Sequence, residues 1–226
     1  MLDFYRFRAI TFDCYGTLID WETGLLGALR PILRAHGSKL RDEQILALYA
    51  ELEPAAQNPY RRYHEVLQEV VRGFGKHLGF EVSGAEARSL PDSLKDWQPF
   101  PDTVAALQKL QSRCRLAIIS NTDDDLFAGT APHLQVKFEQ VITAEQAGAY
   151  KPSLAPFQLA LERLGLPNEQ VLHVGQSVYH DVVPARSLGL ATVLVRRRGS
   201  GATRAVADKP DLEVPDLQTL ASLTLA

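Results

Sequence analysis

Short apolar runs rich in β-branched residues alternate with stretches of helical periodicity along most of the chain, and this alternation constrains the fold more than any other feature. Residues 9–12 (AITF), 115–120 (RLAIIS), 138–143, 171–174 and 191–195 read as strands, with a last short one expected at 211–214. Helical stretches at 102–110, 126–134, 156–164 and 181–188 lie between them, the last two closed by Gly165 and Gly189. Asp102 is placed to cap the first of these. Strands joined in this way specify a parallel sheet with helices on both faces. Right-handed crossovers then leave only a few doubly wound topologies.

Between residues 18 and 98 the rhythm stops. The spacing of Leu25, Leu26, Leu29, Ile32 and Leu33 predicts a helix over 21–37, with Gly37 as its stop. A second is expected over 42–53, ended by Pro54, and a third from near Pro59 to Leu78. A short fourth spans 84–90, before Pro91, and no convincing strand falls among them. The pattern predicts a helical cap, 18–98, inserted into an α/β core made of 1–17 and 99–226, with KDWQPFP at 95–101 as the return linker.

Composition removes several classes of function. The 226 residues carry 24 Lys and Arg against 27 Asp and Glu, so no basic field is available to hold a nucleic-acid backbone. The run Arg196-Arg197-Arg198 reads as a solvated rim. Cys14 and Cys114 supply neither a disulfide framework nor a metal-ligand cluster. Both read as small buried residues, with Cys14 pointing away from Asp13. No apolar run approaches the roughly 20 residues needed to cross a bilayer, and no secretory leader is evident. The expected setting is cytoplasmic, without a membrane partner.

Polar residues gather where strands end. Asp13 closes the first strand ahead of Gly16 and Thr17, and Ser120 and Asn121 close the second. Lys151 follows the third, and Ser177 and Asp181 follow the fourth. Ligands of an open parallel sheet sit outside the carboxyl ends of its strands, so these groups are expected in one crevice. Pro152 restricts the backbone of Lys151. An ammonium held there beside a carboxylate would balance charge gathering on a substrate.

DCYGTL at 13–18, Ser120-Asn121, Lys151-Pro152 and GQSVYHD at 175–181, in this order and strand context, resemble the four motifs of the haloacid dehalogenase-like hydrolases. The resemblance spans essentially the whole chain. It implies a Rossmann-like parallel-sheet core with an inserted helical cap. It also implies that Asp13 is a nucleophile forming an ester that water then hydrolyses. Two positions separate this chain from the family's phosphatases. Where those carry a second Asp two residues after the nucleophile, Tyr15 stands, and a phenol of pKa about 10 is a poor proton shuttle at neutral pH. Where they carry an acid after the glycine of the fourth motif, Gln176 stands, and Mg²⁺ favours anionic oxygen.

The pattern Asp-x-Tyr-Gly-Thr-Leu is similar to the 2-haloacid dehalogenase branch, whose reaction needs neither metal nor cofactor. The resemblance then implies a small carboxylate substrate. Thr17 and Ser177 would position Asp13 or its ester, and Ser120, Asn121 and Gln176 would contact substrate. Lys151 would balance charge, Asp181 would orient water or Lys151, and Tyr15 and Phe157 would wall the pocket. The fourth motif keeps the phosphatase spacing. The cap arginine of the branch has no clear counterpart in ALYAELEPAAQNPYRR at 47–62. Glu51 and Glu53 stand in that region, with Arg61 or Arg62 as substitutes from the next helix.

Acids at that place would suit a substrate with an amino or imino group. DWETG at 20–24, YKP at 150–152 and SVYHD at 177–181 are similar to the azetidine-2-carboxylate hydrolases of the same branch, which open a strained ring. Trp21 and Tyr60 are candidates for aromatic packing between helices or for the cap side of the pocket, His173 for strand packing and His180 for a place near the site. Apolar cap-helix faces fit a homodimer. A small-metabolite phosphatase and a non-catalytic binding protein are the remaining alternatives.

Overall fold

The computed structural model describes residues 2–197 and 207–225. Its sheet contains β1 (Ala9–Phe12), β2 (Arg115–Ser120), β3 (Gln140–Thr143), β4 (Val171–Gly175), β5 (Ala191–Val195) and β6 (Leu212–Val214). All pairs are parallel, in the order β3-β2-β1-β4-β5-β6, so the apolar run AITF is buried along its whole length at the centre. Phe12 lies opposite Ile118 on one side and Val174 on the other. The strand tips are therefore level, and whatever follows them meets at one edge of the sheet.

Alternation decides which side chain faces which layer. Ile10, Phe12, Ile118 and Val174 share an apolar cluster with α5 (Thr103–Gln111) and α10 (Leu217–Leu225). Ala9, Ala117, Ile119 and Val171 face α8 (Ala155–Leu164) and α9 (Val183–Ser187) on the other face. α6 (Asp124–Leu134) and the single turn α7 (Ala144–Ala147) follow β2 and β3. Between β1 and α5 come α1 (Trp21–Ala35), α2 (Asp42–Ala56), α3 (Tyr63–Leu78) and α4 (Gly84–Ser93), without a strand among them. Their Leu25, Leu67, Phe74 and Leu90 are fully buried, each contributing about 1.5–3 kcal/mol relative to exposure. The outgoing and returning chains are bonded to each other, Asp20 N–H to the Gln98 carbonyl at 2.9 Å and Phe100 N–H to the Leu18 carbonyl at 3.0 Å.

Several expectations are corrected. Pro54 does not end α2, which continues to Ala56, and Pro91 lies inside α4; a proline in a last turn removes one backbone bond without stopping the chain. α3 starts at Tyr63 rather than near Pro59, because the Asp123 carboxylate accepts the N–H groups of Tyr63 and His64 at 2.8 Å each. Its cap thus comes from the core. The expected helix 181–188 is a π-helical turn, Val178–Val182, running into α9.

Asp102 does not cap α5. Its carboxylate accepts from Arg197 Nη1 at 2.7 Å and from the Leu217 N–H at the start of α10, also at 2.7 Å. Arg197 is accordingly buried rather than part of a solvated rim, with 7% of its side chain exposed. Arg196 pairs with Glu213 at the surface, and Arg198 lies outside the described residues. α10 has no counterpart in the sequence reading. Among the described residues no helix is long and apolar enough to cross a membrane.

Candidate active site

The end of β1 carries Asp13 to the level edge of the sheet, and a turn follows in which Gly16 adopts φ +96°. A side chain there would be both strained and within 3.0 Å of the Trp21 indole. The turn brings the Thr17 hydroxyl back to donate to Asp13 Oδ2 at 2.6 Å, while it accepts the Gln176 N–H at 2.9 Å. Lys151 Nζ donates to Asp13 Oδ1 at 2.9 Å, to Asp181 Oδ1 at 2.7 Å and to the Ile119 carbonyl at 2.9 Å. All three ammonium protons are thereby taken.

The Asn121 side chain frames this lysine, accepting its N–H at 2.7 Å and donating to its carbonyl at 3.1 Å. Asp181 Oδ2 accepts the Ser177 N–H at 3.2 Å. A Cβ on Gly175 would fall 2.4 Å from the Asp181 carboxylate, so only glycine admits the acid to this position. His173 packs within β4, as its sequence context implies. Its Nδ1 lies 2.8 Å from the Thr11 hydroxyl and its Nε2 3.4 Å from Asp181 Oδ1.

Burial pushes the Asp13 carboxyl above its ordinary range, opposed by Lys151 and reinforced by Asp181. Burial also acts to raise Asp181, but Lys151 and His173 hold it well below the usual carboxylate range. For Lys151 burial favours loss of the proton, and the two carboxylates more than reverse that. The result is a fixed ammonium between a nucleophile candidate and a permanently ionised acid.

Above Asp13 lies a cavity of about 320 Å³ between the sheet edge and the cap. Its core side includes Ser120, Lys151, Gln176 and Ser177, and its cap side Trp21, Tyr49, Glu53, Tyr63 and Trp97. The buried Ser120 hydroxyl bonds to nothing among the described residues. Glu53 Oε1 accepts from Gln57 at 2.7 Å and from the Tyr63 hydroxyl at 3.2 Å, and burial pushes its carboxyl up to about 7. His180 lines the cavity too; burial lowers it to about 4, so it is neutral at neutral pH.

Asp13, Lys151, Asp181, Ser177, Ser120, Asn121, Gln176 and Tyr15 all border the cavity, and Thr17 lies directly behind Asp13. Tyr15 lines the cavity with its hydroxyl turned to Thr130 Oγ1 at 2.8 Å. Two others are engaged differently from expectation. The Ser177 hydroxyl accepts the His180 N–H at 3.0 Å, with no bond to Asp13. The Asn121 amide is committed to the Lys151 backbone.

Phe157 does not wall the cavity. It is fully buried on the α8 face of the sheet, edge-on to His173 at 4.9 Å. Glu51 is exposed, because residues two apart on a helix point about 200° apart, which sends Glu53 inward instead. Arg61 does not reach the cavity; its carbonyl accepts the Tyr150 hydroxyl at 2.8 Å. Arg62 faces Asp123, Asp125 and Glu145. Trp21 lines the cavity and packs on Tyr49, whereas Tyr60 is exposed and donates to the Ala144 carbonyl at 3.2 Å.

The sequence reading missed Tyr49, Tyr63, Trp97 and Tyr179 as lining residues. One signal was available: Tyr49 and Glu53 are four apart and share a face of α2. Among the described residues no group of three or more His, Cys, Asp or Glu is placed to hold a metal ion.

The (S)-2-haloacid dehalogenase of Pseudomonas sp. (strain YL) is 25% identical over 223 residues, 96% of this chain and 94% of that protein. The glyceraldehyde 3-phosphate phosphatase of Methanothermobacter thermautotrophicus is 27% identical over 226 residues, 96% of this chain and 97% of its own. The L-2-haloacid dehalogenase of Xanthobacter autotrophicus, solved with chloropropionic acid covalently bound, has the same fold, with a TM-score of 0.82 at 22% identity over 97% of this chain and 99% of that one. Residues 7–189 match the haloacid dehalogenase-like hydrolase family, and the chain belongs to it.

Proposed function

We propose that the protein is a metal-independent hydrolase acting through an ester of Asp13, with 2-haloacids as substrates. One observation carries this reading. Both oxygens of Asp13 are held, by Lys151 and by Thr17, at the floor of an aromatic-walled cavity whose phenol two residues on is turned away. A halide leaves without a proton, so the lack of an acid at Tyr15 costs this reaction nothing. Phosphoester cleavage would need both a proton donor there and an anionic ligand at Gln176. The dehalogenase and phosphatase relatives are about equally similar overall, and these two residues favour the former.

In the first step Asp13 attacks the carbon bearing the halogen, forming a C–O bond as the carbon–halogen pair departs on halide. Water then adds to the ester carbonyl and the acyl C–O bond breaks. This releases the 2-hydroxyacid, one proton and the original carboxylate. Lys151 balances the charge on Asp13, and Asp181 keeps Lys151 charged and in place. The unpartnered Ser120 hydroxyl is the donor for the substrate carboxylate. Trp21, Tyr49 and Trp97 exclude water and surround the halogen.

Glu53 favours a second reading. A carboxyl that keeps its proton to about 7 on the cap wall suits a leaving nitrogen, as in hydrolytic opening of azetidine-2-carboxylate. Single-turnover reaction with 2-chloropropionate in ¹⁸O-water, without added metal, tests the proposal. Chloride release with label in the Asp13 peptide is expected. Chloride release with an unlabelled peptide overturns the ester. No chloride, but 2-hydroxy-4-aminobutyrate from azetidine-2-carboxylate, selects the second reading. Mg²⁺-dependent phosphate release from small phosphoesters, with neither of the others, overturns both.

A further inference from the structure

Arg197 stands just beyond β5 and outside the cavity lining, yet it touches the loop that carries Asp13. Its Nε donates to the Thr17 carbonyl at 3.0 Å, its Nη1 donates to Asp102 at 2.7 Å, and its guanidinium lies 4.2 Å above the Phe100 ring centre. We propose that Arg197 is a positioning residue for the nucleophile, acting through the main chain of Thr17. The inference rests on Asp13 as the attacking group and goes beyond that reading by assigning what aims it.

The argument follows the loop's own hydrogen bonds. The Cys14 carbonyl accepts the N–H groups of Thr17, Leu18 and Ile19, and the Leu18 carbonyl accepts the Phe100 N–H and the Thr103 hydroxyl. Thr17 is fully buried, and among the described residues its carbonyl receives a hydrogen bond from Arg197 alone. Losing that donor would leave a buried carbonyl unsatisfied and drive the peptide that follows Thr17 to rotate, against the single restraint of the Leu18 N–H bond to the Cys14 carbonyl. Thr17 is also the residue whose hydroxyl holds Asp13 Oδ2 at 2.6 Å and receives the Gln176 N–H. A rotation there moves the hydroxyl, and with it the carboxylate.

Asp102 already supplies the counter-ion through Nη1, while Nη2 is buried without a partner among the described residues. The second bond, to a neutral carbonyl four residues from Asp13, is the one a positioning role requires. A guanidinium offers both N–H groups in one rigid fork, which an ammonium cannot reproduce. The same side chain joins both legs of the cap connection, Thr17 going out and Phe100 with Asp102 coming back. It therefore sets the aim of the nucleophile at the root of the cap.

The test compares Arg197→Met, Arg197→Lys and Arg197→Ala with wild type in chloride release from 2-chloropropionate, per folded molecule. The expected result for Arg197→Met is a kcat lower by about 10- to 100-fold with KM changed less than about 3-fold, since a misplaced nucleophile loses rate rather than binding. The acid limb of its pH profile should move upward, because the Thr17 bond lowers the Asp13 pKa. Arg197→Lys should recover only part of the loss, and added guanidinium ion should restore Arg197→Ala. A purely structural role would lower the melting temperature while leaving kcat per folded molecule and the acid limb where they were; that outcome overturns the proposal. A crystal structure of Arg197→Met gives a readout independent of substrate. A Thr17 hydroxyl still 2.6 Å from Asp13 overturns the proposal, whereas a broken contact supports it even if wild type releases no halide and the dehalogenase reading falls.

Discussion

The two walls of the cavity are built differently. On the core wall Asp13, Lys151 and Asp181 form a chain of buried ion pairs, each tied again by backbone or hydroxyl groups. On the cap wall the aromatic rings of Trp21, Tyr49, Tyr63 and Trp97 surround a single carboxyl, Glu53. The core wall can orient a reaction but has no free proton on Lys151 to offer a ligand. The cap wall makes no hydrogen bond to Asp13 among the described residues. Charge is fixed on one wall and apolar surface dominates the other, a division that substitutions on each wall can break or sharpen.

The largest effect is expected at Asp13, the proposed nucleophile. Asp13→Asn should abolish chloride release by about 10⁴-fold or more while the protein stays folded, because Lys151 and Asp181 still neutralise each other. Halide assays and thermal melting check the two halves. Lys151→Met comes next. It leaves two buried carboxylates facing each other, so stability should fall by about 3–5 kcal/mol in denaturant titration. Its kcat should fall by about 10²- to 10³-fold. A Lys151→Met protein with near-normal kcat would remove the contrast between the walls.

Glu53 tests the cap wall through pH. Above about 7 it ionises and adds a negative charge opposite the site proposed for the substrate carboxylate. KM for 2-chloropropionate should therefore rise as pH passes about 7, and Glu53→Gln should flatten that rise. Stability carries the same signature. The folded protein holds this proton to about 7 against an ordinary value of 4.5, so it binds more protons than the unfolded chain across that window. Stability then declines as pH rises through the window. Glu53→Gln should melt higher than wild type above about pH 7, with the gain vanishing below about 4.5.

The same division explains what could be read in advance. Ser120 ends a strand and Asp13, Lys151 and Asp181 come after strands, and parallel strands end at one edge, so chain position alone put them together. Cap residues sit on helices, where function depends on angular phase. Glu51 and Glu53 are near-neighbours in sequence and point to opposite sides. Phe157 fails for a related reason: its helix packs on the far face of the sheet, a layer that spacing does not reveal. Arg197 was invisible because a run of three arginines has the composition of a surface, and only the fold shows the carbonyl and carboxylate waiting for the middle one.

The smallest effects belong to the edge where cap meets core away from the hinge. There Asp123 caps α3, and Arg62 faces Asp123, Asp125 and Glu145. Asp123→Ala strips two helix N–H groups of their acceptor and should cost about 1–2 kcal/mol. Arg62 is 46% exposed, so its pairs are screened by water and salt. Arg62→Ala should change stability by less than about 1 kcal/mol, and the difference should fade in high salt. Its kcat should stay close to wild type, since no atom of Arg62 lines the cavity. A kcat loss at Arg62 approaching that at Lys151 would mean that the docking of the cap, and not the core wall alone, sets the geometry of attack.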